Sequence, residues 1–129
     1  MERSSAIKGF SLIELIVVVS IVSVLLLVAY PRYQASVDRA GHVALLASLQ
    51  QLRTTIDHFH EDKGRYPDSL QQLVDENYLR SLPVDPITGS ADTWVLERGT
   101  GEQGSGVVDV RSGATGTSWS GVPYRDLVP

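Results

Sequence analysis

Residues 8–34 read KGFSLIELIVVVSIVSVLLLVAYPRYQ, and the fold turns on how this stretch is read. From Phe10 to Ala29 it offers 20 residues of which only Glu14 is ionisable. As a helix rising about 1.5 Å per residue they span about 30 Å, the thickness of a bilayer's hydrocarbon core. A secretory signal would be shorter, with an apolar stretch of about 7–15 residues before a small-x-small cleavage site. Leu27 and Ala29 do not form such a site, so the segment is expected to stay attached. Arg3 and Lys8 precede the span while Arg32 and Arg39 follow it, which leaves the positive-inside comparison balanced. Glu14 is the anomaly. A carboxylate within a bilayer costs about 2.5–3.5 kcal/mol on insertion scales, so it needs a partner, a function, or a route to the nearby interface.

Working outward, the 129 residues suit one small domain, and because much of the apolar content sits in this block the remaining core must be modest. The net charge of −4 gives no basic face, so nucleic-acid binding has no compositional support. The absence of cysteine excludes a disulfide framework and a thiol nucleophile.

Past Pro31 the pattern stays helical. Leu45, Leu49, Leu52, Ile56 and Phe59 recur at spacings of four and three, an apolar stripe suited to packing on a sheet, and Gly64 is a plausible stop. One helix is expected from about Phe10 to Lys63, with Pro31 ending the span and marking a kink. In RYPDSLQQLVDENYLRSLPVDPITG, residues 65–89, Asp68 or Ser69 caps a short helix, and Asp85-Pro86 with Gly89 builds a turn. Strands are expected at Thr93 to Glu97, Val107 to Arg111 and Val122 to Tyr124, separated by glycine-rich turns. The fold class is therefore α+β: a long N-terminal helix, transmembrane then amphipathic, packed on a small antiparallel sheet.

KGFSLIELIVVVSIVSVLLLVAYP closely resembles the leader and apolar helix of type IV pilin-like proteins: a basic leader ending in Gly9, aromatic Phe10, then Ser11-Leu12-Ile13-Glu14. The tyrosine-proline pair Tyr66-Pro67 and the segment YLRSLPVDP, residues 78–86, resemble the type II secretion major pseudopilin in particular. The resemblance implies a leader over residues 1–9, a transmembrane and filament-core helix over 10–30, and a periplasmic globular domain over 31–129. It further implies cleavage between Gly9 and Phe10 by a prepilin peptidase, with methylation of the new Phe10 amine. Glu14 would then compensate that amine in a neighbouring subunit during assembly. Opposite charges that share a low-dielectric site relieve each other's desolvation, and a subunit out of register would leave both unpaired. An intramolecular pair is also open, because Phe10 and Glu14 lie four residues apart. Ser23 stands where many pilins have glycine, a departure that bears on melting of this helix in a filament.

Other constellations carry less. Gly99, Gly101 and Gly104 satisfy G-x-G-x-x-G, but a strand-like SGVVDV follows, so a hairpin loop is expected. His58 and His60 are two apart and do not share a helix face; His58 with Asp62 is a possible pair, and His42 is expected to be exposed. GVVDVRSGATGTSWSGVPYRDL, residues 106–127, resembles the pseudopilin's final strand and loop, where an acidic loop binds calcium. Asp109, Ser112, Gly113 and Gly116 match the framework, but only Asp109 and Asp126 supply carboxylates, and calcium takes six to eight oxygens. A metal-free loop pinned by Trp119 and Tyr124 is expected, with no cofactor.

No nucleophile with a nearby base and no phosphate loop can be assembled, so an enzyme has no support. The reading is a structural subunit of a type II secretion pseudopilus, anchored in a bacterial inner membrane with its N-terminus cytoplasmic. Its partners are copies of itself, membrane lipid, the prepilin peptidase, the inner-membrane assembly platform with its ATPase, and minor pseudopilins. Two alternatives stand beside it: a type IV pilus subunit, and a membrane-anchored periplasmic binding module that never polymerises.

Overall fold

The computed structural model describes residues 9–129. The elements run α1 (Leu12–Lys63), α2 (Leu70–Asp75), β1 (Val95–Arg98) and β2 (Val107–Arg111), with 3-10 turns at Gly101–Gln103 and Tyr124–Asp126. The chain divides into two compact units, residues 1–36 and 37–129. Of the leader expected over residues 1–9, only Gly9 falls among the described residues.

In the first unit the helical assignment passes through Pro31 without a break. Proline there removes one hydrogen bond, and its neighbours carry the helix past it, so α1 runs on to Lys63 as one helix, as the sequence led one to expect. Ser20 and Ser23 donate from Oγ to the carbonyls of Ile16 and Val19, both at 2.7 Å, which satisfies two hydroxyls inside an apolar surface.

The second unit is built on the amphipathic stripe. Leu45, Leu49, Leu52, Ile56 and Phe59 are fully buried, and they join Leu73, Trp94, Val107 and Val110 in one hydrophobic core. Gly64 ends α1 with φ of 70° and its N–H on the His60 carbonyl at 2.9 Å, a left-handed stop that glycine adopts at no steric cost. Ser69 is the residue that caps α2, accepting from the Gln72 N–H at 3.2 Å.

β1 and β2 pair antiparallel as a two-stranded sheet, with Leu96 opposite Val110 and a register irregularity at Glu97–Arg98. The G-x-G-x-x-G stretch forms the loop between them. The third expected strand is a correction: Val122 to Tyr124 contributes only an isolated bridge, Pro123 with Thr117, before turning into the 3-10 turn. Two prolyl or glycyl interruptions within four residues, at Gly121 and Pro123, leave too few consecutive ladder donors for a strand.

Candidate functional site

The N-terminus of α1 is organised by two residues of the opening stretch. Ser11 Oγ accepts the Glu14 N–H at 3.2 Å, and the Glu14 carboxylate reaches back to accept the Ser11 N–H at 3.4 Å. This reciprocal pair is a capping box, S-x-x-E, which satisfies two donors that a helix start otherwise leaves open. It also corrects where the helix begins. Ser11 is the cap and Leu12 the first helical residue, so Phe10 lies outside the helix and is 85% exposed. Sequence reasoning assigned Glu14 a charged partner and overlooked its own backbone; the serine three residues earlier was the signal.

Beyond this cap the first unit is an apolar rod. The helix is long and apolar enough to cross a membrane, and none of its most apolar window is buried within the chain. Tyr30 and Tyr33 flank Arg32 at its end, the residue types that settle at a membrane–water interface.

In the second unit a carboxylate that the sequence presented merely as a turn residue proves to be a tie point. Asp85 is fully buried. Its Oδ1 accepts the N–H groups of Ile87 at 2.8 Å and Thr88 at 3.4 Å, and its Oδ2 accepts Ser112 Oγ at 2.5 Å. Ser112 Oγ in turn accepts the Ala114 N–H at 3.1 Å, so one carboxylate joins the connector turn to the segment leaving β2. Gly113 passes so close to Thr93 that an added Cβ would sit 2.0 Å from its carbonyl oxygen, which explains the glycine beside Ser112.

The calcium candidates are placed among arginines. Asp109 Oδ2 accepts Arg53 Nη2 at 3.1 Å, and Arg53 Nε lies 2.8 Å from Oδ1, off the line of a hydrogen bond. Arg111 bonds Glu97 across the sheet. Glu97 first, and then Asp109 and Asp126 at longer range, hold the Arg111 guanidinium protonated beyond its ordinary value. Among the described residues no group of three His, Asp or Glu side chains is arranged to hold a metal ion.

The histidines and aromatics pack. His60 stacks on Tyr66 with centroids 4.1 Å apart, while His58 is exposed. His42, expected to be exposed, is instead half-buried with its ring edge-on to Trp119 at 6.0 Å, and Arg39 lies over the same indole at 4.5 Å. The indole thus ties the C-terminal loop to the helix, and Tyr124 packs against the core from the same loop. At the end of α1, Tyr78 Oη donates to Asp62 at 2.8 Å, and this bond, helped by burial and by the charges of Asp62 and Glu76, raises the phenol above its ordinary pKa of 10.0.

The prokaryotic N-terminal methylation motif matches residues 4–30, which take in the capping box and most of the apolar rod. Type II secretion system core protein G of Klebsiella pneumoniae is 30% identical over 95 residues, 61% of this chain and 68% of the relative. The chain belongs to the type IV pilin-like family. Competence protein ComGC of Halalkalibacterium halodurans is 35% identical over 71 residues, 55% of this chain and 70% of that protein. The type IV major fimbrial protein FimA of Dichelobacter nodosus is 40% identical over 50 residues, 39% of this chain and 32% of that protein. No solved structure matches. The pilin-like assignment makes this chain a structural, filament-forming subunit, and it accounts for an apolar rod that the chain does not bury itself.

Proposed function

We propose that this pilin-like chain is the subunit of a type II secretion pseudopilus, held in the bacterial inner membrane by the rod at the start of α1 and drawn from there into a filament. Residues 10–30 act as membrane anchor and then filament core, and residues 31–129 form the periplasmic domain. The observation that carries the reading is the lone carboxylate Glu14 at the head of the exposed apolar stretch that opens α1, in a chain similar to core protein G over 95 residues.

A prepilin peptidase cuts between Gly9 and Phe10 on the cytoplasmic side, and the Phe10 amine is methylated. In the growing filament Glu14 exchanges its backbone partner, the Ser11 N–H, for the Phe10 amine of a neighbouring subunit. Association between chains is heterologous and does not close, so it generates a helix. The assembly platform and its ATPase drive extraction, and minor pseudopilins join the same filament. Calcium has no part in this reading, because Arg53 already neutralises Asp109. Local flexing of the rod at Pro31 accommodates the passage from membrane to filament.

Mass spectrometry of the mature protein tests processing: the expected amino terminus is a methylated Phe10, and an intact leader overturns that step. Glu14→Ala tests assembly. Filaments are expected to be lost while membrane insertion persists; filaments at wild-type yield would overturn the assembly role given to Glu14.

A further inference from the structure

The rod is apolar on every side, and lipid covers it only while the chain is in the membrane. Rods packed together in a filament cover one another's inward faces. Their outward faces meet water unless another part of some copy lies over them. A surface on the second unit that matches a rod must therefore be apolar, exposed and firm.

One surface has those properties. Exposed apolar side chains on α1 continue past Tyr33 to Val37 and Val43. Arg39 stands four residues before Val43, a spacing that makes the two neighbours on the helix surface. The guanidinium of Arg39 lies over the Trp119 ring at 4.5 Å, and the His42 ring meets the indole edge-on. The indole is still 52% exposed, and Val122 in the same loop is exposed as well. That loop is closed by its own backbone: the Ser118 N–H donates to the Val122 carbonyl at 2.8 Å, and the Gly121 N–H to the Ser118 carbonyl at 3.0 Å. An indole held by a cation on one face and presented from a closed turn has lost its freedom before any partner arrives, so burying it costs little further entropy. The other exposed large hydrophobics of the second unit, Val84, Val95 and Val128, are single valines on three separate segments.

We infer that Trp119, with Val43 and Val122, is a filament contact that covers the rod of another copy. The partner follows from continuity, because this surface extends along α1 the exposed apolar stretch that the chain leaves for others to cover. Buried tryptophan is also the residue type that most often anchors an interface. The contact is heterologous: one copy's indole meets a second copy's rod, the second copy's indole meets a third, and the pairing propagates. The inference rests on the reading that the chain polymerises.

Acrylamide quenching tests it on the unaltered chain. Trp94 is buried, so the accessible tryptophan emission of the detergent-solubilised subunit belongs to Trp119. Its quenching constant is expected to fall about threefold or more in filaments, because such a contact excludes water. Trp119→Ala is expected to lower filament yield at least about tenfold, and Trp119→Phe, which keeps a ring over Arg39, to stay within about threefold of the wild type. Because the chain holds no cysteine, cross-linking identifies the partner. One copy carries Val122→Cys and the other Val24→Cys, Leu25→Cys, Leu26→Cys or Leu27→Cys, consecutive positions that go round the rod. A short bismaleimide should join unlike copies from at least one of these positions in filaments, and from none in the detergent-solubilised subunit.

An indole as open to acrylamide in filaments as in detergent overturns the inference while leaving polymerisation intact. So does cross-linking from Val122→Cys that reaches no rod position, because another surface then occupies the patch. Quenching of Trp119 in filaments by brominated lipid carried over from the membrane gives the patch to lipid and overturns the inference too. A wild-type chain that forms no filament removes the polymerising reading, and the inference with it.

Discussion

Two stretches of the same helix make opposite use of apolar residues. From Leu12 to Tyr33 every large hydrophobic side chain is exposed, Val22 least at 47% and Leu12 and Leu27 most at 76%. From Leu45 to Phe59 the stripe is fully buried among residues of the second unit. The periodicity explains the contrast. The later stretch confines its hydrophobics to one face, which one sheet and a connector can cover, whereas the earlier stretch is apolar all round and exceeds what 93 further residues could wrap while burying their own core. The chain completes the second cover itself and leaves the first to lipid or to other copies.

Substitutions in the two stretches should therefore diverge. Phe59→Ala is expected to cost about 3–5 kcal/mol, enough to unfold a small domain, because it empties a fully buried site. Val24→Ala, in the rod, should leave unfolding of the second unit unchanged within ~0.5 kcal/mol. Denaturant titration of the full chain in detergent, followed by Trp94 fluorescence, measures both. Equal costs would break the contrast.

Asp85→Ala sharpens it one step down. The change strips acceptors from Ser112 Oγ and from two backbone N–H groups in a buried site, and about 2–3 kcal/mol of destabilisation is expected in the same titration. A near-neutral result would mean that water reaches the turn and that the second unit closes less completely than its burial indicates.

The smallest effect is one of pH at the end of α1. Tyr78 has a folded pKa above its unfolded value, so its hydrogen bond to Asp62 stabilises fully below pH 10 and is lost as pH rises through the folded value. Asp62→Asn should bring the phenol's ultraviolet titration midpoint back toward 10.0, and Tyr78→Phe should flatten the alkaline decline in stability. An unchanged midpoint in Asp62→Asn would dismiss the pair as a surface coincidence.

Much of this was written locally. Twenty consecutive residues with one acid define the rod, 3.6-residue spacing from Leu45 to Phe59 defines the buried face, and Gly64 and Ser69 mark a helix end and a helix start that the structure keeps. The serine and glutamate of the capping box were equally local, but the apolar run and the cost of the charge drew attention to a distant partner instead. The third strand failed for a reason that was also local: Val122 to Tyr124 has strand-like side chains, yet the neighbouring Gly121 and Pro123 deny it a ladder.

The sequence by itself determined the membrane-length rod, the amphipathic helix and the pilin-like order of elements, because each follows from periodicity or from backbone limits within a few residues. Only the tertiary structure decided that Asp85 binds Ser112 from 27 positions away, that Asp109 answers to Arg53, and that His42 lies against Trp119. Such partners are chosen by how the folded chain brings distant segments together, and no local pattern records that choice.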